Sequence, residues 1–207
     1  MLGEKEGCCG YVLLASGLWK EARDVALRVV ERMKETESKI LVTSCAGCYY
    51  TFSKLYSEVL NVELPCKVMH ASQFVHELVS RKQLELRGLS LAVTYHDPCS
   101  LGRHSGVFEE PREILKAIPG LRLIEMPLSR RHARCCGAGG GLWSFNYRVS
   151  VDSAFRRLAE DVVPLGVDTL ATACPTCHLN FRHASVKKSL GIKTYDVMEI
   201  VEKSACT

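Results

Sequence analysis

Residues 131–141 read RHARCCGAGGG, two adjacent cysteines followed by four glycines among the next five positions. Successive side chains tend to point apart, so neighbouring sulfurs rarely serve one ordinary tetrahedral zinc site. A second stretch explains the first: GCCGYVLLASG at 7–17 carries the same doubled cysteine and glycine as Cys8, Cys9 and Gly10. A CxxC pair follows each. Cys45 and Cys48 stand in VTSCAGCYYTF, with 35 residues between Cys9 and Cys45. Cys174 and Cys177 stand in ATACPTCHLNF, with 37 residues between Cys136 and Cys174. The chain repeats itself, and the repeat sets its architecture.

The intervening segments agree. EARDVALRVVERM places Ala22, Val25, Ala26, Val29, Val30 and Met33 on one helical face. The matching segment of the second half places Val151, Ala154, Phe155, Leu158, Ala159 and Val162 on another. Each helix leads to a short apolar strand, KILVTS before Cys45 and VDTLATA before Cys174, and each CxxC opens a further helix. A short strand (CKVMH, IKTYD) and a last helix (ASQFVHELVSR, VMEIVEK) complete each unit. Alternating strands and helices predict an α/β fold with largely parallel sheets, in two pseudo-equivalent repeats at 1–88 and 89–207. The second repeat has a lead-in: LSLAVTYHDPCSLG is a strand ending in a loop at Cys99, followed by a helix around EEPREILKAI and a strand around LRLIEM. Cys99 and Cys135 have 35 residues between them, and no counterpart precedes Cys8. The first repeat is therefore expected to be truncated. Its leading cysteine lies on another chain, the sequence starts inside a domain, or that site has one ligand fewer.

With 207 residues and 47% hydrophobic content, the chain can bury the core of one large domain or two small ones. Eleven cysteines without a secretory leader suggest a cytoplasmic chain with reduced thiols, where clustering means metal or redox chemistry. The apolar run YVLLASGLW is too short to span a bilayer, so any membrane association is expected through a partner subunit. A net charge of +4, neither dense nor interleaved with aromatics, argues against nucleic acid. Arg130, Arg131 and Arg134 flank the doubled cysteine and stand to stabilise an anionic group or attract an acidic substrate. Lys187 and Lys188 are taken as a solvated face.

The second half offers five thiols at three strand-end loops: Cys99, Cys135 with Cys136, and Cys174 with Cys177. A zinc site made of Cys45, Cys48, Cys174 and Cys177 would leave both CCG turns unexplained. Iron–sulfur clusters are commonly held by four thiolates, and five with an adjacent pair suit an irregular cluster in which one sulfur bridges two irons. Gly137 and Gly139, without Cβ atoms, let the backbone approach such a group and point N–H donors at its sulfurs. TACPTC alone would suit a thioredoxin-type redox pair, but two CxxC pairs each matched to a CCG disfavour that reading. GAGGGLW fails the dinucleotide pattern because Leu142 holds the third glycine position.

The stretches TSCAGCYYTF, YHDPCSLGRH, PREILKAIPG, RCCGAGGG and TACPTCHLNF resemble the cysteine-rich CCG domain family, which includes catalytic subunits of heterodisulfide reductases. They most resemble its D-type subunits and relatives in sulfate-reducing electron-transfer complexes. The resemblance runs from Cys8 to the end of the chain. It implies an oxidoreductase subunit that reduces or forms a disulfide at a noncubane [4Fe–4S] cluster. On this resemblance Cys99, Cys135, Cys136, Cys174 and Cys177 ligate that cluster, while Cys8, Cys9, Cys45 and Cys48 match the first motif, which lacks its leading cysteine. No ferredoxin-type C-x2-C-x2-C-x3-CP run occurs, so electrons are expected from an iron–sulfur or cytochrome partner subunit. The disulfide would join small thiol cofactors or belong to the cysteine-bearing tail of a partner protein. Two alternatives stay open: a subunit that only relays electrons, as in lactate- or glycerol-phosphate-oxidising complexes, and a zinc-stabilised interaction domain.

Around the ligands, His96 either packs behind its loop or donates a proton to a leaving thiolate, and Asp97 is expected to cap the following turn. His178, His104 and His132 are weaker versions of the proton-donor idea. Cys66 is expected to be a buried free thiol rather than the missing ligand of the first repeat. Cys206 lies outside both motifs, and Trp143 either shields the metal group or belongs to the core.

Overall fold

The computed structural model describes residues 6–205; Cys206 lies outside them. Helices α1 (Tyr11–Ala15) and α2 (Trp19–Thr36) lead to strand β1 (Ile40–Thr43). Helix α3 (Ala46–Tyr50) continues through a π turn into α4 (Tyr56–Glu58), and β2 (Lys67–His70) runs into α5 (Ala71–Ser80). The second repeat opens with β3 (Leu91–His96), α6 (Glu110–Ala117) and β4 (Leu121–Leu123). After a long loop come α7 (Leu142–Phe145), α8 (Tyr147–Arg157), β5 (Thr169–Thr172), α9 (Pro175–Lys187), β6 (Lys193–Asp196) and α10 (Val197–Ala205). The expected order of strand, CxxC, helix, strand and helix occurs in both halves.

Among the described residues every strand pairing is parallel: β1 with β2 in one sheet, and β4-β3-β5-β6 in the other. The sheets differ where the repeats differ. β5 pairs on both sides and is buried at all its positions, whereas β1 pairs only with β2 and leaves Ile40 and Val42 exposed. The place that β3 occupies beside β5 has no strand beside β1 among the described residues.

Helical periodicity accounts for the cores. Ala22, Ala26, Val29, Val30 and Met33 of α2 pack with Tyr56, Leu60 and Val62 in a small cluster within the first repeat. The larger cluster joins Val93 and Tyr95 of β3, Ile114 and Leu115 of α6, Leu158, Leu170 and Phe181. Ala46 and Tyr49 of the first CxxC helix belong to it too, so the first repeat's metal-motif helix is packed into the second repeat's core. This packing brings the two sets of strand ends to one place.

Candidate metal centre

Both doubled cysteines form the same turn. Gly10 and Gly137 have φ of +83° and +82°, a left-handed conformation that side chains disfavour. In each turn the glycine N–H donates to the sulfur two residues back, Gly10 to Cys8 at 3.4 Å and Gly137 to Cys135 at 3.3 Å. The first cysteine of each pair is exposed and the second is buried. A Cβ on Gly137 would lie 2.5 Å from Ser153 Cβ and 3.0 Å from the Ser150 carbonyl oxygen of α8, whereas one on Gly10 would find its nearest neighbour at 3.5 Å. Gly137→Ala is therefore expected to cost about 2–4 kcal/mol and Gly10→Ala about half that, measured by urea unfolding of the metal-free protein. Gly139 lines the cavity but has no protein atom within 4 Å of its Cβ position, so protein packing does not demand a glycine there.

The CxxC pairs are set at helix starts. Cys174 is the N-cap of α9, Pro175 fixes the first helical residue, and Cys177 lies in the first turn, where free N–H groups favour a thiolate. Cys45 caps α3 in the same way. His70, at the end of β2, steadies the first loop: its Nδ1 accepts from the Ser72 N–H at 3.1 Å, and its Nε2 donates to the Ser44 carbonyl at 3.1 Å. Burial holds His70 down at about 4, so this neutral tautomer persists.

The nine motif cysteines line a single cavity of about 480 Å³. Their side chains form a row in which each thiol perturbs the protonation of its neighbour: Cys9 with Cys48, Cys48 with Cys45, Cys45 with Cys174, Cys174 with Cys177, Cys177 with Cys136, Cys136 with Cys135, and Cys135 with Cys99. Cys8 stands at the cavity wall outside the row. All five thiols of the second motif are thus brought together, Cys99 included. Cys66 is not: it faces a separate surface hollow with Phe52, Leu64 and Val68, and it is half-buried.

The row governs its own protonation. Hydrogen bonds from Cys174 and Cys48 hold Cys45 far below an ordinary thiol, and those from Cys136 and Cys99 do the same for Cys135. Cys48 and Cys99 are pushed up by the same contacts and by burial. Neighbouring thiols therefore cannot all ionise unless positive charge joins them. Among the described residues lining the cavity there is no Lys, Arg or His. The donor set suits a metal group with several positive centres, and the closed four-sulfur zinc site would leave Cys8, Cys9, Cys99, Cys135 and Cys136 unused in the same cavity.

The flanking arginines do not face this cavity. Arg130 pairs with Glu109 at 2.6 Å, Arg134 pairs with Glu160, and Arg131 is exposed. The acidic partners, 21 and 26 residues away, claim the guanidinium groups for the loop's outer surface. Asp97 does not cap the next turn, which closes on the Pro98 carbonyl instead. It binds the fully buried Arg112 through both oxygens, at 2.6 and 2.8 Å, and accepts the Arg130 N–H at 2.8 Å. Arg112 also holds Glu125 and the Phe108 carbonyl. Through Arg112–Glu125 and the Arg130 N–H, this network ties the Cys99 loop to the segment leading into Cys135.

Two further residues missed by sequence reasoning complete the support. Buried Arg157 pairs with Asp161 at 2.7 Å and donates to the Leu128 carbonyl at 2.6 Å. Asn180, three residues after Cys177 and so on its helical face, donates to the Cys136 carbonyl at 2.7 Å and the Ser150 carbonyl at 3.0 Å. The i, i+3 spacing was the available signal for Asn180. His96 is completely buried and is absent from the cavity wall, with burial and Arg157 holding it down at about 3. His178 is 3.7 Å from Glu199, His104 stacks on Tyr50, and His132 is exposed; none lines the cavity. Trp143 lines it, packed edge-on against Tyr147 and His183.

Comparison with known proteins matches residues 1–53 and 93–182 to the family model "CCG: Cysteine-rich domain". The D-type subunit of the dihydromethanophenazine:CoB–CoM heterodisulfide reductase of Methanosarcina barkeri is 35% identical, covering 99% of this chain and 51% of its own. The B-type subunit of the fumarate reductase (CoM/CoB) of Methanothermobacter marburgensis is 33% identical, covering 94% of this chain and 38% of its own. A probable iron–sulfur-binding oxidoreductase of Bacillus subtilis is 31% identical, covering 99% and 29%. The chain spans about half the length of the heterodisulfide reductase relative, and less of the other two.

Proposed function

The chain belongs to the cysteine-rich CCG domain family, and on that premise we propose that it is an iron–sulfur oxidoreductase subunit of heterodisulfide-reductase type. One observation carries the proposal: all five thiols of the second motif line one cavity whose walls, among the described residues, offer no basic side chain. Cys99, Cys135, Cys136, Cys174 and Cys177 would hold a noncubane [4Fe–4S] cluster. Cys8, Cys9, Cys45 and Cys48 would hold a second iron–sulfur group, and the unpaired edge of β1 is where a strand equivalent to β3 would bring a further ligand. We place the two units at 1–88 and 89–207.

When bound, the cluster supplies single electrons and iron sites that sulfur can reach. The chain's own residues do the rest. Gly10 and Gly137 hold the outer cysteines by their N–H groups, and the N-terminus of α9 favours thiolates at Cys174 and Cys177. Val12, Ala46, Ala138 and Leu179 give the cavity apolar walls that disfavour water. Tyr11 reaches from the first CCG turn towards Ser100, Cys99 and Cys135, and burial keeps its phenol protonated. Reduction of a disulfide takes two electrons and two protons and yields two thiols, so a partner iron–sulfur or cytochrome subunit must deliver the electrons. The disulfide would come from small thiol cofactors or a partner's cysteine tail. Among the described residues no helix is long and apolar enough to cross a membrane.

The unbroken sulfur row also suits a subunit that only passes electrons between its two halves. Thiol addition separates the readings. In the anaerobic, oxidised protein, a thiol is expected to change the cluster's EPR spectrum in a saturable way. A spectrum indifferent to thiols would replace disulfide chemistry with relay.

A further inference from the structure

His96 ends β3, and its side chain is completely buried. Neither Nδ1 nor Nε2 has a hydrogen-bond partner among the described residues. A ring nitrogen and the sulfurs of Cys136 and Cys177 all lie within 4.8 Å of one another. The ring is held firmly. Phe181 packs on it edge-on, with centroids 4.7 Å apart, and β3 pairs His96 with Thr172, whose hydroxyl donates to the His96 carbonyl at 3.2 Å. The imidazole is thus fixed between the strand ends that lead to Cys99 and Cys174.

A neutral imidazole carries one N–H donor and one acceptor nitrogen, and burying both unpaired is costly compared with an apolar side chain of similar size. Arg157 and Asp97, the charged groups nearest the ring in electrostatic effect, are bound elsewhere, to Asp161 and Arg112. Among the described His, Cys, Asp and Glu ligand atoms, it is the sulfurs of Cys136 and Cys177 that group with the ring nitrogen. We infer that His96 donates its ring N–H to a sulfur of the group held by Cys136 and Cys177, from the side away from the cavity, and so raises that group's reduction potential. An N–H aimed at an anionic sulfur stabilises the added electron, and hydrogen bonds of this kind are among the determinants of iron–sulfur potentials. The inference rests on the iron–sulfur reading above.

The test compares anaerobically purified wild type and His96→Leu by iron and sulfide content and by potentiometric EPR titration. The variant is expected to keep its iron and to show a lower midpoint potential. The one-electron equilibrium should move by about tenfold, which is about 59 mV. His96→Asn, which keeps an N–H, should recover part of the shift. Full iron with an unchanged potential overturns the inference alone, whereas a wild type without iron overturns the iron–sulfur reading itself. If His96→Leu fails to take up iron, pulsed EPR on wild type labelled with ¹⁵N-histidine decides. A weak nitrogen coupling upholds the hydrogen bond; a strong one, which marks direct ligation to iron, or none at all, overturns it.

Discussion

Cys177→Ser is expected to empty the second motif, with about four irons lost per chain. The size of the effect follows from position. Cys177 is buried in the first turn of α9, its sulfur lies within 4.8 Å of that of Cys136, and both Cys136 and Cys174 perturb its protonation, so it joins the CxxC pair to the doubled cysteine. A serine hydroxyl stays protonated where a thiolate is needed, and it interrupts the row at its centre. Cys66→Ser, changed outside the cavity, is expected to leave the iron content alone. Metal analysis with visible absorption checks both. Equal iron in Cys177→Ser and wild type would remove this cysteine from the ligand set.

Arg112→Leu is expected to destabilise the metal-free protein by about 3–5 kcal/mol, the usual cost of stripping one partner from a buried ion pair. That is a large share of the roughly 5–15 kcal/mol that holds most domains together. The cost falls on Asp97, whose side chain is 2% exposed and would keep only the Arg130 N–H as a partner. Glu125 is 34% exposed and can turn to water, so it adds little. Because Asp97 lies two residues before Cys99, the same change should loosen that loop and lower iron occupancy. Arg112→Lys should not restore either property, since one ammonium cannot make the paired bonds to Asp97 and Glu125. Urea unfolding measures the first effect and iron content the second. A loss below about 1 kcal/mol would make the network a surface-like pair.

The fold was legible because two signals coincide. Cysteine spacing marks the strand ends, and apolar periodicity marks the helices between them, as at Ala22, Ala26 and Val29 in α2. The extra strand β3 was readable for the same reason, from LAVTYH running into Cys99. The supports of the site were not. Arg112 and Arg157 sit on amphipathic helices, where arginine ordinarily faces water. Their burial depends on Asp97, 15 residues away from Arg112, and on the Leu128 carbonyl, 29 residues from Arg157. Asp97 illustrates the general difficulty: its place before a proline and a turn suggests a local cap, yet a distant guanidinium supplies stronger bonds. The arginines beside the doubled cysteine looked like groups facing an anion, but acids from neighbouring helices had already claimed two of them. Spacing within each repeat could not decide whether Cys45 and Cys174 meet, since it says nothing about how the repeats face each other.

Convergence of the second motif's five thiolates on one iron–sulfur group is the central claim, and metal analysis of the anaerobically purified wild-type chain tests it most directly. At least about four irons per chain, with matching acid-labile sulfide, are predicted. Stoichiometric zinc, or iron without sulfide, would contradict it.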